Sequence, residues 1–340
     1  VVNAYNLEGA GEHEGIYRLQ VSDSWIWREQ PMMESLLMNK LKLLRKDKWL
    51  YIIAIPGILF FLVFHYAPMY GLVIAFKKYN IYKGIFASDW VGLGNFETLF
   101  GMSGFRRALR NTVIIGLYQL LFSFPAPIIL AIMINEVKNS VYKKVVQTSV
   151  YLPHFVSWIV IGGILYAILS PSTGIIKDVA GLFGYEGQVI NFMGSQQYFR
   201  GLLIASGIWK EVGFGTVLYL ATIVTIDPAQ YEAARVDGAN KWSQIWHITL
   251  PGLRSTIIIL LIFNVGHFLN AGLEQVFALY NPAVYEVAEI LDTYLYKLAF
   301  EEAKYDLATA SGMFKSMVGL VLVLLTNYVA KKIDRDSGLI

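Results

Sequence analysis

Residues 232–251 read EAARVDGANKWSQIWHITLP, a charged and aromatic stretch between an apolar run that ends near Ile226 and another that begins near Ile257. Its pattern is too regular for a loop. Glu232 to Val236 favours helix, Asp237-Gly238 allows a bend, and Trp242, Ile245, Trp246 and Thr249 recur at i, i+3, i+4 and i+7. Two short helices meeting near Gly238 are expected. Asn240 stands where it can cap the second helix, and Pro251 is expected to end it before Arg254 leads into the next apolar run. One face of that helix is aromatic and apolar, while Lys241, Gln244 and His247 fall elsewhere. The pattern serves a helix lying on lipid headgroups and a protein docking surface equally well.

The flanking runs set the class of protein. The 340-residue chain is 56% hydrophobic and 16% charged, with a mean hydropathy of +0.49, outside the balance of a soluble globular chain. A hydrocarbon layer of about 30 Å needs about 20 apolar helical residues to cross it. Six segments qualify: 49–76, 112–134, 145–169, 202–226, 256–273 and 312–330. Pro56, Gly57 and Pro68 interrupt the first, and Pro125 and Pro127 the second. Such breakers are tolerated where neighbouring helices or a water-filled cavity satisfy the freed backbone groups, so a packed bundle is expected rather than an isolated anchor.

Several chemistries are excluded. The chain has no cysteine, hence no disulfide, thiolate metal site or cysteine nucleophile. Its net charge of +3, without a dense run of one sign, argues against nucleic-acid binding. No G-x-x-x-x-G-K-[ST] loop, H-E-x-x-H pair or paired carboxylates occur, and no G-x-S-x-G elbow accompanies Ser206, Ser255 or Ser311. ATP-driven work would need a separate ATPase, and an integral-membrane enzyme is opposed.

An even number of spans puts both termini on one side. Lys40, Lys42, Arg45, Lys46 and Lys48 before the first span, with Lys138, Lys143, Lys144, Arg235, Lys241, Arg254, Lys331, Lys332 and Arg335, make that side the cytoplasm. Residues 1–39 lack both a basic start followed by an apolar core and a cleavage site. They are expected to be a mobile tail of vector or upstream origin, with initiation at Met32 or Met33. Residues 40–340 then form the membrane domain, with cytoplasmic helices at 229–251.

The stretch 232–251 resembles the EAA motif of permease subunits in bacterial ATP-binding-cassette (ABC) importers: EAA, three residues, G, then an apolar-spaced stretch ending in LP. Glu232, Ala233, Ala234, Gly238, Ala239, Ile248, Leu250 and Pro251 occupy the matching positions. KDKWLYIIAIPGILFFLVFHYAPMYGLVIAFKKYN (46–80), WVGLGNFETLF (90–100) and SVYLPHFVSWIVIG (149–162) are similar to carbohydrate-uptake permeases of the LplB-like branch. The likeness runs from about Lys40 to the end of the chain.

This resemblance implies an all-α polytopic protein of the bacterial cytoplasmic (inner) membrane, with six transmembrane helices in the type I ABC importer permease fold and both termini cytoplasmic. It also implies that the bent segment seats in a cleft on an ATPase subunit. Small residues at Ala233, Ala234, Gly238 and Ala239 would allow close approach, and Glu232 would pair with a basic group. Asp237, Trp242 and Pro251 complete the implied coupling set. The implied partners are a second, homologous permease forming a heterodimer, two ATPase subunits, an extracytoplasmic sugar-binding protein, an oligosaccharide and membrane lipid. The chain itself would bind no cofactor, ATP and Mg residing on the ATPase.

Ionisable residues within spans are functional candidates. Lys210 and Glu211 follow Trp209 in the fourth span, where they either meet substrate, pair with neighbours or snorkel. Sugar recognition calls for aromatic faces together with amides or hydroxyls, and FNVGHFLN (263–270) offers Asn264, His267 and Phe268. Its Phe263-Asn264 pair is similar to the sugar-contacting segment of maltose-type permeases, with His267 replacing an asparagine. By the same likeness Trp209, Lys210 and Phe214 fall at pocket positions in the preceding span. A lysine there is unusual for a neutral sugar and suggests an acidic saccharide, an oligouronide or alginate, with a neutral one as the alternative. Lys77, Lys78, Lys83, Arg106, Arg107 and Arg110 outside would draw such a substrate in, or else contact lipid headgroups. The expected function is the permease of an ATP-driven oligosaccharide importer. The alternative, a six-span channel or secondary transporter without an ATPase, would call for intramembrane charge relays or inverted repeats, which the sequence does not display.

Overall fold

A computed structural model describes residues 48–184, 187 and 190–333. The expected tail at 1–39, and the basic cluster as far as Lys46, lie outside the described residues. The chain divides into two compact units, 1–69 and 70–340. In the first, helix α1 (Lys48–Phe61) runs into a π turn at Leu62–Tyr66, and its side chains, Ile53 and Phe64 among them, are exposed.

The second unit carries α2 (Gly94–Gly101), α3 (Ser103–Tyr118), α4 (Pro125–Glu136), α5 (Ser140–Tyr151), α6 (Trp158–Leu169) and α7 (Gln196–Thr225). It continues with α8 (Pro228–Val236), α9 (Lys241–Gln244), α10 (Leu250–Gly266), α11 (Leu273–Leu279), α12 (Leu291–Tyr296) and α13 (Tyr305–Ile333). Between the first two apolar segments a two-stranded antiparallel ribbon pairs Lys77 with Trp90 and Lys78 with Asp89. The buried amide of Asn95 secures it by donating to the carbonyls of Ala75 and Lys77, both at 2.9 Å.

Among the described residues five helices have the length and apolarity of a span: Lys48–Phe76, Ser103–Glu136, Gln196–Thr225, Lys241–Gly266 and Tyr305–Lys332. The sixth, expected as one helix over 145–169, is a pair, Ser140–Phe155 and Trp158–Leu169, bent by 104°. Pro153 explains the break. Without an N–H it cannot extend α5, the chain turns extended at Val156, and Ser157 caps α6 by accepting from the Val160 amide at 3.4 Å. The fifth span also differs from expectation. It begins at Lys241, not near 256, and stops at Gly266, where the chain folds into a turn closed by Asn270 N–H donating to the His267 carbonyl at 2.7 Å.

Pro251 therefore does not end the second short helix. A π turn at Ile245–Thr249 precedes it, the Leu250 N–H donates to the Ile245 carbonyl five residues back, and the helix continues. The same device recurs before Pro68, where Ala67 bonds to Leu62, and before Pro125, where Phe124 bonds to Gln119. In each case the widened turn makes room for a ring that would otherwise clash with the carbonyl four residues earlier. Pro68, Pro125 and Pro251 are thus each met with an inserted residue, whereas Pro56 sits inside α1 without one.

Three apolar clusters hold the unit together. Phe105, Ala108, Leu291, Tyr294 and Leu298 join α3 to α12, Ile115, Phe199, Leu203, Val276 and Leu279 join α3, α7 and α11, and Ala131, Tyr219, Ile223 and Leu253 join α4, α7 and α10. Close approach depends on glycine. A Cβ on Gly213 of α7 would collide with the Val150 carbonyl of α5, and one on Gly215 would lie 2.9 Å from the Pro127 ring. Small residues allow such contacts between membrane helices, where dispersion replaces the hydrophobic effect as the driving force.

Candidate functional site

The segment after α7 is built from local signals. Asp227 caps α8 by accepting from the Ala229 amide at 2.9 Å, and Pro228 opens the helix at a position where no N–H is required. At the other end Gly238 adopts φ +79°, and Ala239 N–H closes on the Ala234 carbonyl at 2.8 Å. This left-handed stop favours glycine, since a Cβ there costs about 1–2 kcal/mol. Asn240 then accepts from the Ser243 amide at 2.9 Å and starts α9. The bend itself is exposed: Glu232, Ala233, Asp237 and Gly238 face outward, with Ala234 and Ala239 half-buried. Val236 at its tip is 89% exposed, a large apolar side chain standing clear of the fold.

Behind the bend the segment is anchored. Lys241 Nζ lies 2.7 Å from Glu136 at the end of α4, Tyr231 and Thr249 hydroxyls meet at 3.0 Å, and the buried Gln244 amide donates to the Ala239 carbonyl at 3.0 Å. Trp242 and Trp246 remain largely exposed, whereas Thr249 is buried. An exposed bend on a fixed base can transmit force to whatever it touches, because its second arm runs without interruption through Pro251 into a membrane span.

Within the bundle, Lys210 is 6% exposed. Its ammonium donates to the His154 carbonyl at 2.7 Å and to Glu211 at 3.0 Å, and stands 5.6 Å over the Trp158 ring. Glu211 in turn meets His154 Nδ1 at 2.7 Å, and the His154 ring stacks on Phe214 at 4.1 Å. The cluster grips α5 and α6 where they break. Trp209 and Phe214 are half exposed on α7.

In the second group, the Asn264 amide donates to the Leu260 carbonyl at 3.1 Å and His267 Nδ1 lies 2.9 Å from the Phe263 carbonyl. Phe263 is exposed, and Phe268 lies against Gly116 of α3, where an added Cβ would come within 2.7 Å of its carbonyl. Among the described residues no hydrogen bond or ring contact joins the 209–214 group to the 263–268 group.

Other polar groups emerge only from the fold. Arg107 bonds to Glu289 at 2.5 Å and Glu286 at 3.3 Å, and Arg110 reaches Glu286 at 3.4 Å. Asn111 bridges this group to Arg200, which donates to its carbonyl oxygen at 2.8 Å. Lys83 pairs with Asp89, and Lys77 donates to the carbonyls of Ile85 and Phe86. Much of the basic charge expected outside is thus engaged within the chain, while Lys78 and Arg106, both exposed, have no ion pair among the described residues. Lys315 of α13 pairs with Asp292 of α12, and the buried Gln275 amide donates to the Leu203 carbonyl at 2.6 Å and the Ser206 hydroxyl at 3.0 Å. Their partners lie too far along the chain for periodicity to find them.

On the membrane face opposite the bend, a cavity of about 720 Å³ is lined in part by Tyr166, Ser170, Ser172, Asn191, Tyr280 and Asn281. Burial, helped by the neighbouring Tyr285, pushes the Tyr280 phenol up to about 12.

The model of the family described as "Binding-protein-dependent transport system inner membrane component" matches residues 123–336. Protein LplB of Bacillus subtilis (strain 168) is 46% identical over 86% of this chain and 92% of its own length. The polygalacturonan/rhamnogalacturonan transport system permease protein YteP of the same organism is 41% identical over 91% and 98%. Among solved structures, a chain of a bacterial ABC transporter involved in the import of the acidic polysaccharide alginate superposes with a TM-score of 0.81 at 43% identity, covering 87% of this chain and 99% of that one. A chain from the bacterial alginate ABC transporter in complex with alginate pentasaccharide-bound periplasmic protein gives 0.79, also at 43% identity, over 86% and 97%.

Proposed function

The chain belongs to the family of binding-protein-dependent transport system inner membrane components, and from that premise we propose that it forms half of a pathway that imports acidic oligosaccharides. It is an inner-membrane permease subunit of an ABC sugar importer with the type I fold, and ATP hydrolysis is supplied by a separate subunit. These similarities favour that function over a channel or secondary transporter.

In the proposed assembly a second, homologous permease completes the pathway, and two ATPase subunits carrying ATP and Mg dock on the side that holds both termini, the cytoplasm. An extracytoplasmic binding protein delivers the saccharide, as supported by the relative solved with its periplasmic protein. The bend at Glu232, Ala233, Ala234, Asp237, Gly238 and Ala239 takes up the ATPase's closing motion, and Trp242 and Pro251 pass it on to the fifth span. ATP binding then favours an outward-open state by contacts made only in that state.

Trp209, Phe214, Phe263, Asn264, His267 and Phe268 face the sugar in this proposal, while Lys210 contributes by holding Glu211 and His154. The acidic character of the substrate is supported by two relatives whose names specify uronate polymers, polygalacturonan and alginate. Lys210, paired with Glu211, presents no uncompensated charge of its own.

The observation that carries the coupling proposal is the exposed left-handed bend at Gly238 joined to an unbroken helix. Its test is Gly238→Val beside Gly238→Asn, since asparagine tolerates positive φ. Copurification of an ATP-hydrolysing subunit should fall sharply in the valine variant and survive in the asparagine variant; full association and hydrolysis in both would remove the bend from the coupling element. The substrate is tested with a panel of neutral and acidic oligosaccharides on the reconstituted importer. Oligouronides should stimulate hydrolysis, and stimulation by neutral sugars alone would refute the acidic assignment.

A further inference from the structure

Two grooves meet beside the bend. One, of about 500 Å³, is apolar and runs between α4, with Ile129, Ile132 and Met133, and the segment bearing Trp242 and Trp246. The other, of about 240 Å³, is polar and lined in part by Lys138, Tyr231, Arg235 and Lys241. Glu136 lines both, and its ion pair with Lys241 forms the bar between them.

Position and charge define the occupant. The apolar groove starts at the last residue of α4 and reaches back to Ile128, about 12 Å along the helix and within the hydrocarbon depth of one leaflet. Two tryptophans at its mouth sit where aromatic side chains mark the membrane interface. In the polar groove Glu136 and Lys241 cancel. Lys138 and Arg235 have no ion-pair partner among the described residues, and the Arg235 Nε bond to the Tyr231 carbonyl at 3.2 Å leaves its terminal nitrogens available. An apolar slot at bilayer depth that opens onto two uncompensated cations matches one class of molecule.

We propose that the composite groove binds an anionic phospholipid of the bilayer, an acyl chain lying between α4 and the two tryptophans and the phosphate held by Lys138 and Arg235. The headgroup then rests against the base of the bend, so the charge of the surrounding lipid acts directly on this segment. An ATPase subunit is a poorer occupant of the apolar part, which lies at hydrocarbon depth.

The full chain, purified in detergent with equal amounts of phosphatidylglycerol and phosphatidylcholine, should retain phosphatidylglycerol preferentially in native mass spectrometry. Neutralising two interfacial cations in Lys138→Gln with Arg235→Gln should lower that preference roughly thirtyfold. Both side chains are exposed, so the fold should persist. Met133→Glu, which places a carboxylate in the apolar groove and touches neither cation, should also lose the lipid. Equal retention of both lipids by the unmodified chain, a preference that survives double neutralisation, or bound phosphatidylglycerol unaffected by Met133→Glu would each overturn the proposal.

Discussion

At the scale of single residues, Lys210 shows how burial reassigns a charge. The side chain is buried, and its ammonium ends on the carbonyl of His154 and the carboxylate of Glu211. Lys210→Met would leave that carbonyl without its donor and the half-exposed carboxylate with His154 alone. A loss of about 2 kcal/mol is expected, below the range for fully buried pairs because water still reaches Glu211. Thermal unfolding of the purified chain in detergent measures it, and an unchanged midpoint would show the contact to be energetically idle. Gly238 and Asn240 were legible in the sequence because turn and cap chemistry act within a few residues. Lys210 was visible as a candidate, but its partner His154 stands 56 residues away. The packing of the arm that ends at Phe155 against α7 brings the two together.

At the scale of elements, the prolines are the instructive case. Read as a terminator, Pro251 divides the bent segment from the fifth span; in the folded chain an inserted residue lets the helix pass through it. The insertion has a geometric effect, since one residue is about 100° of helical rotation. Pro251→Ala removes the reason for the wide turn. We expect this variant to keep its helix and its ATPase partner, but to turn the bend relative to the span and lose at least about tenfold in substrate-stimulated ATP hydrolysis, a rate change equivalent to about 1.4 kcal/mol. Hydrolysis of the reconstituted complex with loaded binding protein gives the readout, and normal stimulation would mean that the phase of the helix is immaterial. The number and approximate places of the spans were legible from hydropathy, because crossing a bilayer takes about 20 apolar residues, but the start of the fifth at Lys241 was not. The break at Pro153 was not, since tolerated and helix-ending prolines look alike in sequence.

At the scale of the whole molecule, much of the span surface is left uncovered. At most 33% of any candidate span window is buried within the chain, while side chains such as Phe122, Met133, Phe263 and Leu325 stand exposed. Lipid and the proposed second permease provide the natural cover for this area. Class and family could be read from one chain because both leave marks in composition and in a contiguous motif. The pathway is harder to read, because a surface shared by two subunits is only half encoded in either. Within this chain, Lys241–Gly266 is one 26-residue helix, about 39 Å long. Absence of cysteine permits clean paired labels at Trp246→Cys and Phe263→Cys. Their separation should stay near about 25 Å with and without nucleotide, and a shortening would reveal a joint between them. If the helix is stiff, it is a lever with the bend at one end and Phe263 and Asn264 near the other. A tilt of about 10° about its base then carries the far end roughly 7 Å over that length, more than the width of a sugar ring.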